Sequence, residues 1–317
     1  MRYFKISFII YSILKMEIPR IALGTFGLGD DEKINEPIRY AIEELGYRHL
    51  DCAESYHNEK AIGTALKHVF ENGKVKREEL WVTSKIGNIH HHPEDVEKCC
   101  KQTLQDLQLE YLDLYLIHWP CAFADTSDEK PRKIVIDTNL SVFDMWPEME
   151  KLVSNGLVKH IGVSNFSIEL LERFRFDPRI KIQPYCNQVE CNLYMQQEAL
   201  RMYCEFRGMY LECYSPLGSQ FWQKNNQPNL LGDPVLTEVA KEVGKTVGQV
   251  ELKFLLQLSP KAVVLPKSSN PGRQKENISL DFTLNEEHME KLKKCERCFR
   301  FIDVAKEWGV NVHADNF

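Results

Sequence analysis

The sequence predicts an α/β fold, a closed (β/α)8 barrel in a single domain. Three observations carry that expectation. Strand-like and helix-like patterns alternate along the 317 residues, and about eight such β/α pairs are the number that closes a barrel. The strand segments are apolar along their length, as in a parallel sheet covered on both faces. Finally, three successive strand ends carry Asp51, Lys85 and His118, with Tyr56 just past the first. Such groups converge only if the strands are parallel neighbours, and a barrel gathers its site at those ends.

The elements follow in order. Residues 20–26 read as a strand. Residues 31–45 have helical spacing through Ile34, Ile38, Ala41, Ile42 and Leu45, and Gly46 suits the end of that helix. A strand over 49–53 precedes a helix over 59–71, stopped by Asn72 and Gly73. Residues 80–85 form the third strand, and Pro93 opens a helix reaching Leu107, since proline is pre-set for a first turn. The fourth strand covers 112–119. A polar loop over 121–137 interrupts the rhythm, which resumes with a helix over 141–155 ended by Gly156. Strands over 160–165, 184–190, 210–215 and 262–267 then alternate with helices over 167–174, 196–207, 234–243 and 247–258, with further helices beyond.

One rival fold has a specific basis. Gly24-Thr25-Phe26-Gly27-Leu28-Gly29 follows a strand, and Asp51 ends the next, which imitates the fingerprint of a doubly wound dinucleotide fold. The glycine spacing is GxxGxG rather than GxGxxG, so turn, pyrophosphate approach and helix packing do not receive their glycines where they need them. The later strands also favour a barrel.

Bulk properties narrow the function. A net charge of −6 argues against a nucleic-acid partner, and no apolar run approaches the ~20 residues of a membrane span. The ten cysteines do not form a disulfide framework, because several fall inside strands and helices; reduced thiols and a cytoplasmic monomer are expected. Cys295-Glu296-Arg297-Cys298 is a lone CxxC without a second pair. His90-His91-His92 reads as a solvated loop, and no metal site is expected. Residues 1–15 form an extension with three readings: a short signal peptide, an extra strand closing the barrel bottom, or an early start with Met16 as the true one. The last two are preferred, because Lys15-Met16-Glu17 is not a small-residue cleavage site.

Asp51, Tyr56, Lys85 and His118 bring a carboxylate, a phenol, an ammonium and an imidazole to one rim, a proton-handling set. Their surroundings, Gly46-Tyr-Arg-His-Leu-Asp51-Cys-Ala-Glu-Ser-Tyr56-His-Asn-Glu59, Val82-Thr-Ser-Lys85 and Leu112-Asp-Leu-Tyr-Leu-Ile-His118-Trp119-Pro120, resemble the signatures of the aldo-keto reductases. Ile161-Gly-Val-Ser164-Asn165-Phe166, Asn187-Gln188-Val-Glu190, Tyr214-Ser-Pro-Leu217-Gly-Ser219 and Leu265-Pro-Lys267-Ser268 with Arg273 and Glu276-Asn277 continue the likeness, which runs from about Ile18 onward.

That resemblance implies reduction of aldehydes and ketones, aldoses among them, by NADPH. It makes Asp51, Tyr56, Lys85 and His118 the catalytic tetrad, with Tyr56 as acid, its pKa lowered toward working pH by Lys85. It further implies a cofactor site: Gly24 and Thr25 in the first strand loop, Ser164, Asn165 and Gln188 on the nicotinamide amide, and Tyr214 stacked on that ring. Leu217 and Ser219 would cover the pyrophosphate, Lys267, Ser268 and Arg273 would clamp the 2′-phosphate, and Glu276 and Asn277 would contact adenine. Substrate would meet Phe26, Ser55, Gly87, His118, Trp119, Phe221, Trp222 and the tail from Phe299. Many members have tryptophan where Phe26 and Gly87 stand here, so a pocket widened beside Gly87 and tolerant of bulky or hydroxylated carbonyl compounds is expected. A non-catalytic NADPH-binding member, regulatory or structural, is the alternative, which turnover of a simple aromatic aldehyde would discriminate.

Overall fold

Eight short strands build the barrel: β1 (Leu23–Gly24), β2 (His49–Asp51), β3 (Trp81–Ile86), β4 (Leu112–Ile117), β7 (Val158–Ser164), β8 (Cys186–Glu190), β9 (Tyr210–Tyr214) and β10 (Ala262–Val264). They pair in that order, every neighbour parallel. The ring closes because β10 bonds back to the first strand: Ala22 N donates to Val264 O at 2.9 Å, Gly24 N to Pro266 O at 3.1 Å, and Val264 N to Arg20 O at 2.9 Å. Arg20 fastens the seam with its side chain, donating to Ala262 O at 2.8 Å and to Ser259 O at 2.8 Å. The structure is a computed structural model that describes residues 17–30, 32–126, 133–219 and 227–313. The extension over 1–15 and the pocket candidates Phe221 and Trp222 lie outside the described residues.

Helices α1 (Asn35–Glu43), α2 (Glu59–Glu71), α3 (Pro93–Leu107), α4 (Val142–Ser154), α5 (Ile168–Phe176), α6 (Glu198–Phe206), α7 (Pro234–Val243) and α8 (Val247–Leu258) alternate with the strands. α9 (Pro271–Ile278), α10 (Glu286–Lys293) and the single turn α11 (Ala305–Trp308) follow the last strand. Their starts are chemically marked: Ser141, Ser167, Thr246, Asn270 and Asn285 each accept a hydrogen bond from a backbone N–H of the first turn. Asp233 caps α7 and also receives Tyr194 Oη at 2.9 Å and Arg297 Nη2 at 3.0 Å, tying the chain before the tail to the barrel.

The sequence reading overextended the first and last strands, which are two and three residues long. Their apolar neighbours are buried as loop and isolated bridge rather than as ladder. The loop over 121–137 contains a hairpin not expected there, β5 (Ala122–Phe123) against β6 (Ile136–Asp137). It sits over the carboxyl-terminal mouth, and Phe123 packs edge-on to Trp308 of the tail at 4.8 Å.

Two apolar layers result. One lies between strands and helices; the other fills the barrel, with Trp81, Leu114, Leu116, Cys186, Val263 and Leu265 inside. Within the outer layer runs a buried polar tie. Glu59 on α2 accepts from Ser84 Oγ at 2.5 Å and from Thr103 Oγ1 at 3.0 Å, so α2, β3 and α3 share one carboxyl. Burial raises that carboxyl to about 7. No helix among the described residues is long and apolar enough to cross a membrane.

The α2–α3 contact depends on Gly63. A Cβ there would stand 2.0 Å from Asp106 O and 2.8 Å from the Leu107 backbone, so Gly63→Ala is expected to lower unfolding free energy by about 1–3 kcal/mol. The denaturant midpoint of the variant checks this; an unchanged midpoint would show that α2 slides off α3 without cost.

Candidate active site

The barrel's twist brings the ends of β2, β3 and β4 to one side of the mouth. Lys85 in β3 is fully buried, and its ammonium spends all three N–H bonds: on Asp51 Oδ1 at 2.7 Å, Cys52 O at 2.8 Å and Tyr56 Oη at 3.2 Å. Burial opposes the Lys85 charge, but Asp51 and Tyr56 outweigh it and its pKa lies above the usual lysine value. Asp51 is held from the other side by Gln188 Nε2 at 2.9 Å, and the same nitrogen donates to Glu212 Oε2 at 2.7 Å.

Tyr56 departs from expectation. Burial pushes its phenol up to about 12, against the opposing pull of the Lys85 charge. Lys85 therefore does not bring Tyr56 down toward working pH here; desolvation of the phenolate is the larger effect. His118, at the end of β4, goes the other way: burial first, then the Lys85 charge, keep it well below 6.5 and neutral. Its Nδ1 lies 3.2 Å from Ser55 Oγ, a contact the sequence reading did not foresee.

These groups floor a cavity of about 560 Å³. Gly24, Phe26, Ser55, Tyr56, His118, Trp119, Asn165, Gln188, Tyr214, Leu217, Ser219, Lys267, Ser268, Arg273 and Asn277 all line it. Asn165 is fixed at φ 66°, donating to His118 O at 3.0 Å and accepting from Tyr214 Oη at 2.9 Å. At the far end, burial and then the Arg273 charge push the Lys267 ammonium below its ordinary value, and Arg273 Nε donates to Ser268 Oγ at 3.3 Å. Two cations crowd one polar slot, which is the electrostatics of an anion site.

Other expected residues lie elsewhere. Thr25 is wholly buried and donates to Asp51 O at 2.8 Å, so it braces the strand end. Ser164 spends its hydroxyl on Gln188 O at 2.8 Å, and Glu276 is not among the lining residues. Gly87 is not among the described residues that line the cavity; a Cβ there would meet Glu54 Oε2 at 3.0 Å, so its open side faces that carboxylate. Within the run His90–His92 only His91 departs from a solvated loop: it is 1% exposed and burial lowers it to about 3, while His92 is exposed.

The tail completes the cavity with Phe301, Ile302, Asp303, Val304, Glu307 and Trp308. It is anchored by Glu190, whose carboxyl accepts from Phe301 N at 2.7 Å and Ile302 N at 2.9 Å. Trp119 meets Trp308 edge-on at 4.8 Å. Glu190 and Glu212 were readable in principle as acids inside apolar strands, a pattern that requires a buried partner.

Fold and site define a (β/α)8-barrel protein with a proton-handling centre at its C-terminal mouth. The model of the Aldo/keto reductase family matches residues 20–297. Aldo-keto reductase family 1 member A1 of Rattus norvegicus is 41% identical over 293 residues, covering 90% of this chain and 88% of that protein. The human protein of that name is 39% identical over 293 residues with the same coverage, and Aldose reductase B of Dictyostelium discoideum is 42% identical over 285 residues, covering 87% and 88%. The chain belongs to the aldo-keto reductase family, oxidoreductases of carbonyl compounds that generally use a nicotinamide cofactor.

Glu212 supplies a pH test. Burial and then the Asp51 charge raise its carboxyl to about 8. A folded-state pKa above the unfolded value means stability present at low pH is lost as pH rises through the folded value. Wild type is expected to lose stability between about pH 4.5 and 8 that Glu212→Gln retains; parallel pH–stability curves for the two would refute the buried acid.

Proposed function

We propose that the chain reduces aldehydes and ketones, aldoses among them, to alcohols with NADPH, and that Tyr56 is the general acid. One observation carries the reading: Tyr56 Oη accepts from Lys85 Nζ at 3.2 Å on the cavity floor. Because the oxygen takes its hydrogen bond from below, its own proton is left to point into the cavity. Burial keeps that proton in place until a substrate oxygen gains charge. The phenolate left behind then faces an ammonium which Asp51 and the Cys52 carbonyl hold fixed, so the charge that develops is met by one already oriented.

NADPH would supply the hydride to the carbonyl carbon. Lys267, Ser268 and Arg273 would hold its 2′-phosphate, a role supported by two cations in one slot beside a hydroxyl. Asn277 would stand near adenine and Tyr214 against the nicotinamide. Gln188 has both N–H bonds committed to Asp51 and Glu212, so only its oxygen is available to the nicotinamide amide. Neutral His118 would donate from Nε2 to the substrate oxygen, with the Ser55 hydroxyl on Nδ1 fixing that tautomer. Phe26, Ser55, Trp119, Ile302 and Trp308 would surround the substrate. We read the protein as a monomer, and ten unpaired thiols suit a reducing cytoplasm.

Tyr56→Phe removes the acid and keeps the ring. Aromatic aldehyde reduction should fall by at least about 10²-fold while NADPH binding, read by fluorescence, holds; wild-type turnover in the variant would end the assignment. Arg273→Ala should weaken NADPH by about 10–150-fold, the equivalent of one charge-assisted contact, and spare NADH. Equal losses for both cofactors would place Arg273 away from the 2′-phosphate.

A further inference from the structure

Behind the catalytic floor, three side chains from three elements meet without any part in the reaction described above. Glu54 lies in the single turn Glu54–Tyr56 that follows β2. His90 ends the turn Asn88–His90 that follows β3, and Cys99 is on α3. Glu54 Oε1 lies 2.7 Å from His90 Nδ1, and the carboxylate, imidazole and thiol ligand atoms are all within 4.8 Å of one another. Glu54 is oriented by a fixed donor, Gly87 N, at 2.8 Å from Oε2. The glycine makes that approach possible: any Cβ at position 87 would crowd the same oxygen at 3.0 Å.

The ligand set has a definite preference. With metal–ligand bonds of about 2.0–2.3 Å, donors around a tetrahedral ion stand roughly 3.2–3.8 Å apart, so this trio needs only a small adjustment. Imidazole and thiolate beside one carboxylate favour Zn²⁺ and its relatives over Mg²⁺ or Ca²⁺. All three side chains are partly exposed, which leaves the fourth position to water.

We propose that Glu54, His90 and Cys99 form a binding site for a thiophilic divalent cation of the zinc type, cross-linking the β2 and β3 loops to α3. The ion displaces the Cys99 thiol proton to solvent. The site is independent of the reductase reading, because none of its three residues lines the cavity.

The test uses the full chain stripped of metal and titrated with Co²⁺, then with Zn²⁺ against a chromogenic chelator. One Co²⁺ per chain should bind with a thiolate-to-cobalt charge-transfer band. Cys99→Ser should abolish the band, and His90→Ala should weaken Zn²⁺ by at least about 10–100-fold, the scale on which even supporting residues of a metal site act. Cys298→Ser, which removes an exposed thiol elsewhere, should change neither. Circular dichroism confirms that each variant is folded, and either ligand variant alone decides the question. Absence of a charge-transfer band in wild type, or a band that survives Cys99→Ser or follows Cys298, overturns the proposal.

Discussion

A fully buried ammonium dictates much of this molecule. Lys85 has no solvent, and taking either charge of such a pair away leaves the other stranded at a cost of about 3–5 kcal/mol. Asp51 must therefore stay, and Asp51 itself requires Gln188. Those three sit on β3, β2 and β8, so one electrostatic requirement spans half of the barrel. The Cys52 carbonyl takes the second N–H of the ammonium, which fixes where β2 stops and its loop begins. Only the third N–H is left for Tyr56. The apolar layers make the barrel stable, but this chain of donors and acceptors sets where its mouth points.

Burial and charge divide the work at the floor. Desolvation alone would neutralise Lys85 and hold Tyr56 protonated; the neighbouring charge opposes burial at both, and it wins at lysine and loses at tyrosine. The sequence reading weighed only the neighbouring charge and so expected an acidified phenol. Depth below the rim, which that reading could not measure, reverses the sign. Under the proposed reaction a strong acid is not required, because the Lys85 ammonium would already be paired with the phenolate.

Strand order, parallel sense and the gathering of Asp51, Tyr56, Lys85 and His118 were legible because a strand end is an abrupt change from apolar to polar residues. The lengths of β1 and β10 were not, since apolar residues beside a ladder are buried just as those within it are. The β5–β6 hairpin escaped because its strands are two residues each, below any period that can be read. Gly87 is a different case. Its position in the chain is two residues past Lys85, but the direction of an absent side chain is set by backbone geometry, and that direction is toward Glu54. Thr25 and Ser164 look like ligands by their type and are braces by their bonds.

Glu190 grips the tail through the backbone N–H groups of Phe301 and Ile302, not through their side chains. A main-chain handle is carried by every residue except proline. The wall it holds can thus be rewritten residue by residue while its docking point stays the same. Since Glu190 lies two positions beyond Gln188 on β8, with its side chain on the same face of the sheet, scaffold and wall share one strand but no side chain. A lineage of such barrels could exchange what it recognises by drifting along the tail, with the proton-transfer floor left out of the bargain.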